Sequence, residues 1–206
     1  MDISPSFIYL ASASPRRQAL LREAGVRFEL LLADADEDAE ALEHIRRGES
    51  PTAYVERVAI AKANAGWARM LRRGLATAPV LGADTTVAVG GTILAKPTDA
   101  ADAIRMLQRL SGRSHRVLTA VAVARGPSRI EQCITVSRVS FARLSRPAIE
   151  AYVATGEPLD KAGAYAIQGG AAAFVRRIEG SYTGIVGLPL YETLRLLRRA
   201  GRSEAR

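Results

Sequence analysis

The sequence predicts an α/β fold, with an elongated mixed sheet flanked by helices. Three observations lead there. A short β-rich apolar run, Phe7 to Ala11, breaks at two serines and a proline into a helical pattern. Val80 to Ala95 reads as a strand followed by a hairpin with Gly90-Gly91 at its tip. Ser114 to Arg125 and Arg129 to Arg143 read as two long antiparallel strands parted by Gly126-Pro127-Ser128.

The first break carries the most chemistry. In Leu10-Ala11-Ser12-Ala13-Ser14-Pro15-Arg16-Arg17, Ser14 suits an N-cap and Pro15 the first helical position. The order is therefore strand, tight turn, helix, with Ser12, Ser14, Arg16 and Arg17 around a helix start. Open N–H groups, the positive end of the helix dipole and two guanidiniums suit a polyphosphate. First turns prefer acidic side chains, so two arginines there break a local rule. The plain alternative is a surface helix that begins with two arginines. No G-x-x-x-x-G-K-[ST] occurs, which excludes a Walker A loop.

Gly25 ends that helix and Val26 to Leu32 reads as a second strand. Asp34 to Glu40 then places five carboxylates in seven residues. Such a segment is either a solvated loop or part of a cation site. Glu43 to Ser50 continues the loop, and Ser50-Pro51 opens a helix to about Arg73 with apolar positions at helical spacing. Lys62 lies among alanines on that helix, where a lysine commonly snorkels to water.

Val80 to Ala83 is expected to be a buried strand ending at Asp84-Thr85-Thr86, with the following hairpin emerging at Lys96-Pro97. Asp84 and Lys96 are thus expected on loops. Ionisable groups at strand carboxyl ends are where open α/β sheets bind ligands; Asp84 as a turn cap is the alternative.

Thr98-Asp99 starts a helix through Leu110. The alternation Val117, Thr119, Val121, Val123 in one long strand and Ile134, Val136, Arg138, Ser140 in the next predicts a sheet with unequal faces. Cys133 is expected to pack as a small apolar residue, and His115 to be structural. His44 supports no triad or metal pair. Pro147 to Thr155 is a short helix, and the glycine-punctuated run from Gly156 to Gly170 suits a pocket wall. A strand is expected at Ala172 to Ile178. Gly187-Leu188-Pro189 opens the last helix, with Leu190, Leu194 and Leu197 expected along its buried stripe.

Composition narrows the class. No linker or repeat divides the 206 residues, so residues 1–206 read as a single domain with a basic tail at 199–206. No apolar run nears the ~18 residues that span a bilayer, and no basic region precedes the first apolar run. The expected address is cytoplasmic. One cysteine excludes an internal disulfide framework and a thiolate zinc cluster. The net charge is +8; arginines are dispersed along the chain, much of the surplus lies in the terminal helix and tail (Arg195, Arg198, Arg199, Arg202, Arg206), and aromatics are 5%. Specific nucleic-acid binding is therefore not expected.

Read together, L-A-S-A-S-P-R-R, Gly82-Ala83-Asp84-Thr85, Lys96-Pro97, G-E-P-L-D-K-A-G-A-Y from Gly156, Ile167-Gln168-Gly169, Glu179-Gly180-Ser181-Tyr182 and Val186-Gly187-Leu188-Pro189 resemble the Maf family over about residues 7 to 198. The resemblance implies a fold similar to the inosine triphosphate pyrophosphatases. It also implies cleavage between the α- and β-phosphates of a nucleoside triphosphate with Mg²⁺ or Mn²⁺, and a homodimer. By position it implies Asp84 as the catalytic carboxylate. It further implies Ser12, Ser14, Arg16 and Arg17 at phosphate, Lys62 and Lys96 at the polyphosphate, and Glu37 with Asp84 at metal, Asp36 being one alignment step from Glu37. Arg16, Thr85 and Gln168 resemble the markers of the branch acting on dTTP and UTP. Asp84 then either deprotonates the attacking water or holds the metal that acidifies it. Gln168, both donor and acceptor, suits the O4 and N3–H edge of thymine or uracil. An alternative implied by the same resemblance is a nucleotide-binding regulator of cell division and septum formation with little turnover.

Overall fold

A computed structural model describes residues 7–202. Arg206 and the rest of the predicted basic tail beyond Arg202 lie outside them. The elements are β1 (Ile8–Leu10), α1 (Pro15–Glu23), β2 (Phe28–Leu30), α2 (Pro51–Arg72), β3 (Val80–Val89), β4 (Thr92–Leu94), α3 (Ala100–Leu110), β5 (Ser114–Ala124), β6 (Ile130–Phe141), α4 (Arg146–Ala154), β7 (Val175–Glu179), α5 (Tyr182–Val186) and α6 (Leu190–Arg202). Hydrogen bonding orders the strands β2-β1-β3-β5-β6-β7, with β4 on β3. β1 pairs parallel with β2 and β3, while β4 on β3 and β7 on β6 are antiparallel, so the sheet is mixed.

Local chemistry sets the element ends. Ser14, Ser50, Asp99 and Ser145 each accept an N–H of the first turn of α1, α2, α3 and α4, and a proline is the first residue of α1 and α2 and the second of α4. β5 and β6 form the expected hairpin, closed by Arg125 N–H on Arg129 O at one end and Phe141 N–H on Arg113 O at the other.

Two compact units make up the chain, the first from Met1–Asp84, Thr119–Ile134 and Gly187–Arg206, the second from Thr85–Leu118 and Thr135–Val186. In the first, Leu10, Leu21, Val55, Val58, Met70, Leu81 and Leu197 are buried. In the second, Phe141 is ringed edge-on by His115, Tyr165 and Phe174.

The structure corrects several expectations. The strand expected at Ala172 to Ile178 begins only at Val175, because Gly170–Phe174 folds as a tight helical turn. Asp84 and Thr85 are not on a loop: β3 runs unbroken from Val80 to Val89, because Thr85, Thr86 and Val87 are β-branched and fit a pleated, packed surface. β5 does not have unequal faces, since it is buried from Val117 to Ala124, whereas β6 does over its second half, with Val136 and Arg138 exposed and Ser137, Val139 and Phe141 buried. On α6 the buried positions are Thr193, Leu196, Leu197 and Ala200, with Leu190 and Leu194 only half-buried. α5 was not expected as a helix. Cys133 is half-buried, and burial pushes its thiol up to about 11, an inert state near neutrality.

Candidate active site

The first turn folds as its residues demand. The Ser14 hydroxyl accepts Arg17 N–H, and the Ser12 hydroxyl accepts Ser14 N–H at 3.3 Å. Arg17 is buried. Its Nε donates to Gly187 O at 2.8 Å and its Nη1 to Ser12 Oγ at 3.1 Å. Gly187 has φ +134°, a backbone conformation that favours glycine, and its carbonyl fixes one edge of the guanidinium. Arg16 is half-buried in the same turn and its charge is felt by Arg17.

Asp84 is reached from α2. A Cβ on Gly82 would stand 2.5 Å from Ala63 N and 2.7 Å from Ala59 O, so the helix backbone rests directly on the strand there. That close approach brings Lys62 to Asp84: Nζ donates to Asp84 Oδ1 at 2.8 Å and to Glu43 Oε1 at 2.7 Å. Asp84 is 6% exposed. Burial raises its proton affinity, opposed by the charges of Lys62 and Arg17. Arg17 in turn is eased toward losing its proton by burial, and Asp84 counters that. Lys62, Asp84, Glu43 and Arg17 thus act on one another as one electrostatic group. Lys62 does not snorkel to water.

Glu43 is the residue that sequence reasoning missed. Its carbonyl accepts the Tyr54 hydroxyl at 3.0 Å, and Arg57 holds the flanking loop through Leu42 O, His44 O and both oxygens of Glu49. The signal available was faint, a glutamate in a polar loop whose partner lies 19 positions on.

The acidic loop is neither simply solvated nor bare. Glu37 is gripped by Arg69 and Arg72 from the last turn of α2, and Asp34 by Arg72 and the cap residue Arg73. Arg69 is buried and also donates to Leu31 O at 2.8 Å. Its bond to Glu37 is the main reason that carboxyl drops to about 2.

In the second unit, Thr85 is half-buried in β3 and Lys96 is exposed after β4. The neighbouring Ala95 O accepts Gly163 N–H at 3.1 Å, and a Cβ on Gly163 would lie 2.9 Å from Val87. Gln168 is exposed at a turn closed by Gly169 N–H on Ala166 O at 3.1 Å, with Ile167 buried beneath it. Buried His115 is structural, as expected, and bonds the Tyr165 hydroxyl at 2.8 Å.

Ser12, Ser14, Arg16, Arg17, Glu37, Lys62 and Asp84 therefore belong to the first unit, and Thr85, Lys96 and Gln168 to the second. Glu37 and Asp84 each offer carboxylate oxygens of the hard kind a divalent ion takes, but they are held apart from each other by different partners, Glu37 by Arg69 and Arg72 and Asp84 by Lys62. Among the described residues no three His, Cys, Asp or Glu side chains converge as a metal-binding group. Mg²⁺ needs no such cage, since it keeps waters and takes one or two carboxylates together with substrate phosphates. Among the described residues no helix is long and apolar enough to cross a membrane.

Comparison with known proteins places these features in a lineage. Residues 7–200 match the family of Maf-like proteins. A protein of Cupriavidus metallidurans named dTTP/UTP pyrophosphatase is 60% identical over 196 residues, 95% of this chain and 98% of its own. One of the same name from Albidiferax ferrireducens is 59% identical over 195 residues, 95% and 97% of the two chains. The solved structure of a HAM1 protein from Coxiella burnetii is 19% identical, covers 93% of this chain and 98% of its own, and gives a TM-score of 0.49.

Proposed function

The chain belongs to the Maf family, and on that premise we propose that it is a nucleoside triphosphate pyrophosphatase acting on dTTP and UTP. Water attacks the α-phosphorus, the bond to the α-β bridging oxygen breaks, and the products are the nucleoside monophosphate and pyrophosphate. The observation that carries this reading is Asp84, a buried carboxylate held by Lys62 within the field of Arg17.

Each residue has a role in that step. Asp84 orients the water and takes its proton. Arg17, pinned by Gly187, and Arg16 present cationic donors to phosphate oxygens, as do the hydroxyls of Ser12 and Ser14. Lys62 holds Asp84 in place and, with Lys96, offsets the charge that builds on departing pyrophosphate. An incoming triphosphate competes with Glu43 for Lys62. Glu37, joined by Asp84 in the alternative to its base role, would hold Mg²⁺ or Mn²⁺, which would supply a Lewis acid at the phosphates. Glu37 keeps the negative charge such a ligand needs, and Arg69 and Arg72 compete for the same oxygens.

Gln168 and Thr85 set the base preference. A carboxamide matched to a pyrimidine O4 and N3–H rejects bases with a different polar edge far more strongly than it separates dTTP from UTP, which differ there by a methyl group. The protein acts in the cytoplasm as a homodimer.

Pyrophosphate release measured across a panel of nucleoside triphosphates tests the reading. Turnover of dTTP and UTP well above that of purine triphosphates is expected. Activity confined to guanine nucleotides would overturn it.

A further inference from the structure

The Gln168 turn is clamped on both sides by one hydrogen-bonded pair. The Tyr152 hydroxyl, on α4, donates to Glu157 Oε1 at 2.6 Å and accepts Ala166 N–H at 3.1 Å. Glu157 Oε2 accepts Gly170 N–H at 3.2 Å. Ala166 and Gly170 lie two residues before and two after Gln168, so the pair holds the backbone at both shoulders of the turn. The far shoulder packs closely on the pair: a Cβ on Gly169 would displace the Glu157 carboxylate, and one on Gly170 would touch the Tyr152 ring at 3.4 Å. The Tyr152 ring is itself fixed edge-on against Phe174, centroids 5.3 Å apart. Burial and the Glu157 carboxylate both keep the Tyr152 hydroxyl protonated, as a donor must be.

The geometry points to Tyr152 and Glu157 as positioning residues for base selectivity, acting through Gln168 by holding its turn in one conformation before the nucleotide arrives. This rests on Gln168 reading the base. An exposed side chain on an unpinned turn must be ordered during binding, and that cost falls on the nucleotide whose base the turn should select. A pinned turn leaves the cost prepaid. Selectivity then depends on two groups that touch no substrate atom.

The test is steady-state kinetics of the full chain with Mg²⁺ on dTTP, UTP and GTP. Tyr152→Phe keeps the ring packing and removes only the hydroxyl; Glu157→Ala removes the acceptor. For both, KM for dTTP and UTP should rise ~10-fold, the loss of roughly one hydrogen bond's worth of preorganisation. kcat should change less than about 2-fold and kcat/KM for GTP should hold, since the phosphate groups are untouched. Combining either change with Gln168→Ala should add nothing to the loss from Gln168→Ala alone. Should Glu157→Ala fail to fold, Tyr152→Phe gives the same readout. If Gln168→Ala loses pyrimidine preference while Tyr152→Phe and Glu157→Ala keep it, the clamp is overturned and the base-reading role of Gln168 stands. A loss of kcat shared equally by all three nucleotides would make the pair a mere fold support and overturn the clamp. If Gln168→Ala keeps the wild-type preference, both the reading and the clamp built on it fall.

Discussion

Lys62 Nζ and Asp84 Oδ1 stand 2.8 Å apart, joined across the contact of a helix and a strand at which only a glycine fits. The lysine side chain is 16% exposed and the aspartate 9%, so both charges are largely withdrawn from water. Removing charges from water is costly, and Coulomb attraction repays it only when geometry is good and other polar partners are present. Glu43 supplies one such partner for Lys62. A paired, buried carboxylate is an expensive way to stabilise a fold and a sensible way to hold a reactive group.

Gly82→Ala should separate the pair without altering either residue. The new methyl meets helix backbone that cannot rotate away, and overpacking of this kind costs about 1–3 kcal/mol. Differential scanning calorimetry should show a Tm drop of roughly 2–4 °C per kcal/mol in a chain of this size. Pyrophosphate release should fall by more than the loss of folded protein accounts for.

Arg17→Ala should weaken substrate binding and turnover together. It strips a cationic donor from the phosphate site and leaves Gly187 O without its 2.8 Å partner. The stability cost is about 1–3 kcal/mol, read by urea unfolding. kcat/KM for dTTP should fall at least ~100-fold, and Arg17→Lys should recover little, because an ammonium cannot bridge Gly187 O and Ser12 Oγ as a fork does.

Acid should loosen the acidic loop. The Arg69 bond, with Arg72, holds the Glu37 carboxyl at about 2, below its ordinary 4.5. A depressed folded value means that the stabilisation is complete above pH 4.5 and is lost as pH falls from there through about 2. Urea unfolding of wild type and Glu37→Gln over that range should show the wild-type advantage shrinking as pH drops. A gap that stays constant would mean the arginine grip contributes nothing.

His115 should produce a second acid effect, in a higher window. Burial lowers its pKa from 6.5 to about 4, so the folded chain resists a proton that the unfolded chain accepts. The contribution is intact above pH 6.5 and is lost as pH falls to about 4, up to about 3 kcal/mol in all. His115→Gln keeps a polar partner near the Tyr165 hydroxyl and cannot be protonated, so it should flatten the unfolding curve in this window.

Much of the fold was legible because its signals are local. A serine or aspartate before each of α1, α2 and α3, and Gly90-Gly91 between two β-rich runs, declare element boundaries within a few residues. The same applies to the Ser12 to Arg17 turn, whose capping and crowding of cations are both written in consecutive positions. What lay beyond reach depends on tertiary contact. Asp84 was expected on a loop because acidic and hydroxyl residues usually end strands, yet packing carries β3 straight through it. Lys62 looked like a solvated lysine until the bare backbone of Gly82 let α2 settle onto β3. The arginines of the α2 C-terminus meet Asp34 and Glu37 across more than thirty positions, and Glu43 meets Lys62 across 19, distances at which no spacing rule speaks. Leu194 misled for a similar reason, since α6 turns Leu196 and Thr193 inward instead.

The most direct measurement is pyrophosphate release from dTTP by Asp84→Asn, alongside calorimetric binding of dTTP to the same variant. Asparagine keeps the shape and cannot take a proton from water. The expected result is a loss of turnover of at least ~100-fold with dTTP still bound, because the phosphate contacts of Arg16, Arg17 and the serines persist. A variant that retains most of its turnover would show that the buried carboxylate beside Lys62 does not drive the reaction.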